Sequence, residues 1–196
     1  TIKRWTIEAD GSLSNLEELT PNLTGSNHPV TGVPASDNRL IIGFTFDPDA
    51  TADNLVAYVS HSALTLSDGP EWDGKITKLS GPNLETVEDI IIHLPRSKKD
   101  HLTNSIVFGG PDNDMYIVQG SNSAGGEPDA AWDFRPERLL SAAVLQVELD
   151  KLPASLPLSV FTTDDISVIN NAPSNSTTMS DGTYNPYSSL SPVTLF

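Results

Sequence analysis

The chain has 196 residues, with 11 basic and 26 acidic side chains and a formal net charge of −15. That charge argues against binding a nucleic-acid backbone, which needs a positive surface. The absence of cysteine excludes disulfides, thiol chemistry and cysteine-ligated zinc or iron–sulfur centres, and without an apolar run of ~18 residues no membrane span is expected. Charged residues are scarce at 19%, while Ser, Thr, Asn, Gly and Pro are abundant, the profile of a loop-rich β protein.

Residues 2–7 alternate apolar and polar side chains and stop at Asp10-Gly11, as a half-buried strand does. Residues 14–39 are polar and broken by Pro21, Gly25, Pro29, Gly32 and Pro34, which predicts turns and loop. An apolar strand is expected over 40–46, a turn to Asn54, then a strand over 55–60. Residues 74–79 alternate again, and 87–94, with Ile90-Ile91-Ile92, reads as a fourth strand. The next set runs through strands at 105–109 and 115–120, a Gly/Pro/Trp-containing excursion and a strand at 144–149. Good helix formers over 136–149 offer a helix there instead, but the alternation of Val144, Gln146 and Glu148 with their neighbours favours the strand. Residues 164–196 are expected to form a long loop or linker after a strand-bearing region of 1–163.

The two sets repeat. Phe44-Thr45-Phe46-Asp47-Pro48-Asp49 and the strand Val56–Ser60 return about sixty residues later as Ile106-Val107-Phe108-Gly109-Gly110-Pro111-Asp112 and Met115–Gln119. Repeats of short strands at this spacing are the mark of a β-propeller. The expected fold is all-β, about two to two and a half propeller blades, with the remaining blades supplied by the same or another chain. Sheets left at the ends would otherwise expose unpaired edges.

Asp100-His101 sits in a polar loop just ahead of an inner strand, where a side chain would face a propeller's central channel. Imidazole is suited to taking a proton from an alcohol, although a surface histidine in a Lys-rich loop fits the same spacing. Asp47, Asp49 and Asp53 in one turn, and Asp112 and Asp114 in the equivalent turn, offer oxygen ligands for calcium. Asp and Asn also serve simply as turn formers. Trp72 and Trp132, each followed by an aspartate, suit either sugar stacking or packing between blades.

The run Leu94-Pro95-Arg96-Ser97-Lys98-Lys99-Asp100-His101, followed by an apolar strand, Phe108-Gly109, a Pro-Asp turn and a Tyr-containing strand, resembles the glucose/sorbosone dehydrogenases. Gly120–Gly126 and Arg135–Leu145 resemble an environmental branch of that family. The resemblance implies a six-bladed propeller that oxidises an aldose or related sugar with pyrroloquinoline quinone and calcium. His101 would be the general base, Asp100 would lie beside it, and Asn38, Arg39, Ser121 and Asn122 would lie against the quinone. Ser121 occupies the place where those enzymes usually carry an aspartate that orients the histidine. The resemblance further implies that these residues hold only part of an active site. The alternative is a non-catalytic, calcium-stabilised propeller module for binding or assembly. The acidic, Ser/Thr/Asn-rich composition favours an extracellular or periplasmic setting in either case.

Overall fold

The computed structural model describes residues 1–196. The chain is all-β, with three open sheets. Strands β1 (Ile2–Ile7) and β2 (Leu13–Leu19) form an antiparallel hairpin. Next come β3 (Arg39–Phe46), β4 (Val56–Ala63), β5 (Gly74–Ser80) and β6 (Thr86–Leu94), an antiparallel meander in sequence order. A second meander follows in β7 (Thr103–Gly109), β8 (Asp114–Gln119) and β9 (Ala143–Val147). The two-residue β10 (Leu158–Ser159) then adds to β6 in parallel, and one short helix, α1 (Ile166–Ile169), precedes β11 (Val193–Leu195).

The strand alternation sorts side chains to two faces. On β4, Tyr58 joins Ile76, Ile91, Ile106, Met115, Ile117, Leu145 and Val147 in the core between the two large sheets. Its neighbours Ala57 and Val59 point to the other face, where Leu79, Leu23 and Leu84 cover them and Ile2 and Leu19 of the hairpin pack alongside. β4 is therefore covered on both faces: its first half, Val56–Val59, is apolar, and its second half buries Ser60, His61 and Ser62. The inner strands of the two sheets meet at Gly43. A Cβ there would lie 2.5 Å from the Asn104 carbonyl and 2.6 Å from Ser60 Oγ, so only glycine lets β7 approach.

Two segments differ from expectation. Residues 14–19, the first part of the expected loop 14–39, lie in β2, because Leu13, Leu19 and their neighbours find a ladder on β1 that periodicity alone does not announce. Residues 164–196, expected as a long loop or linker, are mostly irregular, but they fold back onto the protein rather than leading away from it. β11 pairs antiparallel with β9 and gives the second sheet its fourth strand. Tyr184 fixes this return: its hydroxyl donates to Val193 O (2.9 Å) and accepts from Val193 N (2.8 Å). Tyr184→Phe should leave two buried backbone groups without partners, at a cost of about 1–3 kcal/mol. The expected result in hydrogen exchange is faster exchange at Glu148 and Phe196, whose amides bond Pro192 O and Val144 O between β9 and the returning segment, while β4 stays protected. Unchanged rates at those two amides would contradict this role.

Candidate functional site

The loop between β6 and β7 carries Asp100 and His101 and is tied from within. Ser97 Oγ accepts from Lys99 N (3.1 Å) and His101 N (3.0 Å), while Ser97 N donates to His101 O (3.0 Å). Arg96, fully buried, donates to the carbonyls of Ala63, Thr65, Ser97 and Lys99. Gly120, at the exit of β8, lets that chain pass the loop, since a Cβ there would lie 2.9 Å from His101 Cβ.

His101 is half-buried, with its ring centroid 4.5 Å from that of Trp132. Its Nδ1 lies 2.8 Å from Ser121 Oγ. Ser121 Oγ in turn lies 2.6 Å from the Ser123 carbonyl, a distance at which two oxygens need a proton between them. A serine hydroxyl has only one proton to give. It goes to Ser123 O, so Ser121 accepts from His101, and the neutral imidazole carries its proton on Nδ1. The lone pair is left on Nε2, which makes no hydrogen bond within the protein. Asp100 is exposed and pairs with no cation.

The loop that carries Ser121 is held through its next two residues by Glu137. Glu137 accepts from Asn122 N (2.8 Å), Ser123 N (3.1 Å), Ser123 Oγ (2.9 Å) and Ser141 Oγ (2.5 Å). Burial pushes its carboxyl up, but the bonds from Ser141, Asn122 and Ser123 outweigh it and hold the group below the usual glutamate value. The one sequence signal was an acid placed after Gly-Ser-Asn-Ser and before the Ser141-Ala142-Ala143 run.

The residues expected to hold the quinone do not gather on a ligand. Arg39 is committed: Nη1 donates to Asp73 Oδ1 (2.6 Å), Nη2 to Asp73 O (2.8 Å) and Nε to His61 Nδ1 (3.0 Å). Both side chains of the Arg39–Asp73 pair are 2% exposed. Asn122 is fully buried, with Nδ2 on Pro136 O (2.9 Å) and Oδ1 unpartnered. Asn38 is exposed, and its bonds with Ser36 and Leu64 run through its own backbone. A tricarboxylate needs cationic partners, and the one cation of this set, Arg39, is already bound to Asp73, so the four do not fit the quinone.

Asp47, Asp49, Asp112 and Asp114 line one depression of about 520 Å³, together with Glu148 and Asp150, while Asp53 lies apart from it. Asp47 Oδ1 accepts from Asp49 N (2.9 Å), and Asp114 Oδ2 from Gln146 Nε2 (2.6 Å). No three His, Asp or Glu side chains are arranged to hold one ion, so no step is derived through calcium. Both loop tryptophans are packing residues, Trp72 against Phe161 and Trp132 beneath His101.

No helix is long and apolar enough to cross a membrane. A scan of protein-family models and searches of curated proteins and of solved structures return no match to this chain.

Proposed function

We propose that this chain is part of an exported sugar- or alcohol-oxidising propeller protein in which His101 Nε2 is the general base. The carrying observation is the hydrogen-bond chain from His101 through Ser121 to the Ser123 carbonyl, which leaves the lone pair on the unpartnered nitrogen. A base must present that lone pair to the substrate hydroxyl. On taking the proton, the imidazolium keeps Ser121 as acceptor at Nδ1, and Trp132 holds the ring plane. The reaction class, oxidation of an alcohol carbon, rests on the resemblance to the glucose/sorbosone dehydrogenases. No hydride-accepting step is derived from these residues.

The propeller reading is supported by two successive antiparallel meanders, β3–β6 and β7–β9, the second completed to four strands by β11, packed against each other with β3 and β7 in contact at Gly43. The outer face of the second sheet, including Val107, Val118 and Val144, is exposed, as expected of a blade awaiting its neighbour.

The test is dye reduction by the protein with aldose sugars, with pyrroloquinoline quinone and calcium supplied. His101→Ala should lower turnover about 10²–10⁴-fold, and Ser121→Ala should lower kcat more than it raises KM. Full activity in the His101 variant would eliminate it as base. One observation favours the second reading, a non-catalytic module: Arg39 is locked to Asp73 rather than free for a cofactor. Quinone failing to bind the wild-type protein would decide for that reading.

A further inference from the structure

A cleft of about 350 Å³ lies away from His101, between the loops that precede β5 and follow β10. Its lining includes His28, Trp72, Arg138, Phe161, Thr162 and Asp181. Thr162 is 1% exposed, and its hydroxyl is buried with no hydrogen-bond partner. Buried hydroxyls are rarely left so, and an unpaired one against a cleft marks a place for a ligand oxygen.

The other groups define what that ligand is. Arg138 gives Nε to Glu71 (2.7 Å) and Nη1 to Asp164 (2.6 Å), which leaves Nη2 free as a donor. His28 Nδ1 accepts from Val30 N and Thr31 N, both at 3.2 Å, so the neutral ring carries its proton on Nε2 and is a second donor. Asp181 receives the Thr183 amide and hydroxyl on Oδ1, and the Thr163 hydroxyl also bonds the carboxylate, whose remaining lone pairs are acceptors at the cleft. Trp72 and Phe161, centroids 4.8 Å apart, supply an apolar wall.

Charge argues against an anion: Glu71, Asp164 and Asp181 outnumber Arg138, and the whole chain carries −15. The free donors argue against a cation: Arg138 Nη2 and His28 Nε2 need acceptors, and the indole face is already taken by Arg138, 5.5 Å above it. A hydroxyl both donates and accepts, and so satisfies donors and acceptors at once. We propose that this cleft binds a neutral polyhydroxylated ligand, such as one unit of a saccharide, with a ligand oxygen against Thr162 and others on Arg138 Nη2 and Asp181. The site is independent of the His101 reading and shares no residue with it.

The test is an NMR titration of the whole chain with methyl β-glucoside and with myo-inositol, with glucuronate as the anionic control. The neutral probes should shift the Trp72 indole N–H and the Thr162 and Thr183 amides, with glucuronate binding more weakly. Asp181→Asn, at an exposed position, and Thr162→Val, nearly the same shape, should each weaken binding by at least about threefold. Thr162→Val should do so without lowering the melting temperature, since it removes an unpaired polar group. His101→Ala should leave the titration unchanged, which separates this site from the proposed base. No shifts at the cleft up to about 100 mM probe, equal binding of glucuronate, or loss of binding in the His101 variant would each overturn the assignment.

Discussion

Replacing Asp73 with alanine is expected to bring the protein close to unfolding. Asp73 is buried at the start of β5 and holds three groups at once. Oδ1 accepts from Arg39 Nη1 at 2.6 Å, Oδ2 accepts from Ala63 N at 2.5 Å, and Arg96 Nη1 lies 3.9 Å from Oδ2. Burial pushes Arg96 down to about 10, with Asp73 pulling the other way, so the group is still charged near neutral pH. Without the carboxylate, two guanidiniums remain inside the protein with no counter-charge. Breaking a buried pair from one side costs about 3–5 kcal/mol, a large share of the ~5–15 kcal/mol that holds a domain together. Urea unfolding should show a midpoint lowered to match, or no folded baseline. Asp73→Asn, which keeps the shape and one acceptor, should fall between the two. A loss below about 1 kcal/mol in the alanine variant would show that the pair is not the brace described here.

The same network makes stability fall as pH falls below about 6.5. His61 is fully buried on β4, with Arg39 Nε donating to its Nδ1 at 3.0 Å. Its proton is therefore on Nε2, which donates to Thr77 Oγ1 at 2.8 Å, and Thr77 donates to Asp89 Oδ1 at 2.7 Å. Lys75, buried beside it, is also bonded to Asp89. A second proton on His61 would face Arg39 directly. Burial first, then Arg39 and Lys75, push the imidazole down to about 2. In the unfolded chain it titrates near ~6.5. Between those values the unfolded state binds a proton that the folded state does not. Stability is thus fully present above about pH 6.5 and is lost progressively as pH falls toward the folded value, with a slope approaching ~1.4 kcal/mol per unit. His93, lowered chiefly by burial, adds in the same direction. His61→Gln keeps an acceptor for Arg39 and a donor for Thr77 but does not titrate, so it should flatten the profile between about pH 6 and 4.5. An unchanged slope in that variant would place the acid sensitivity elsewhere.

Of the candidate site, the sequence made the loop legible and little of its geometry. Asp100-His101 ahead of an apolar strand put the imidazole in the loop that enters β7, because a polar run followed by a strand pattern marks that boundary, but the same spacing fitted a surface histidine. It gave no sign that Ser121 would set the tautomer, or that Glu137 would hold Ser121's loop from sixteen residues away. Such bonds join residues whose separation follows no fixed period. Nor did the sequence pair Arg39, expected against the quinone, with Asp73, expected only as the neighbour of Trp72; in the fold the two are a buried pair.

The sequence by itself determined most of the strands and their order: the period of two in 2–7, 74–79 and 144–149, the apolar runs at 40–46 and 87–94, and the repeat behind the two meanders. These are local properties, decided by side chains two residues apart. Only the tertiary structure decided that residues 164–196 return to complete the second sheet, that β1 and β2 cover the first, and which charges are buried together. Those outcomes depend on desolvation and on surfaces brought together across more than thirty residues of chain, and no local pattern encodes which surface will meet which.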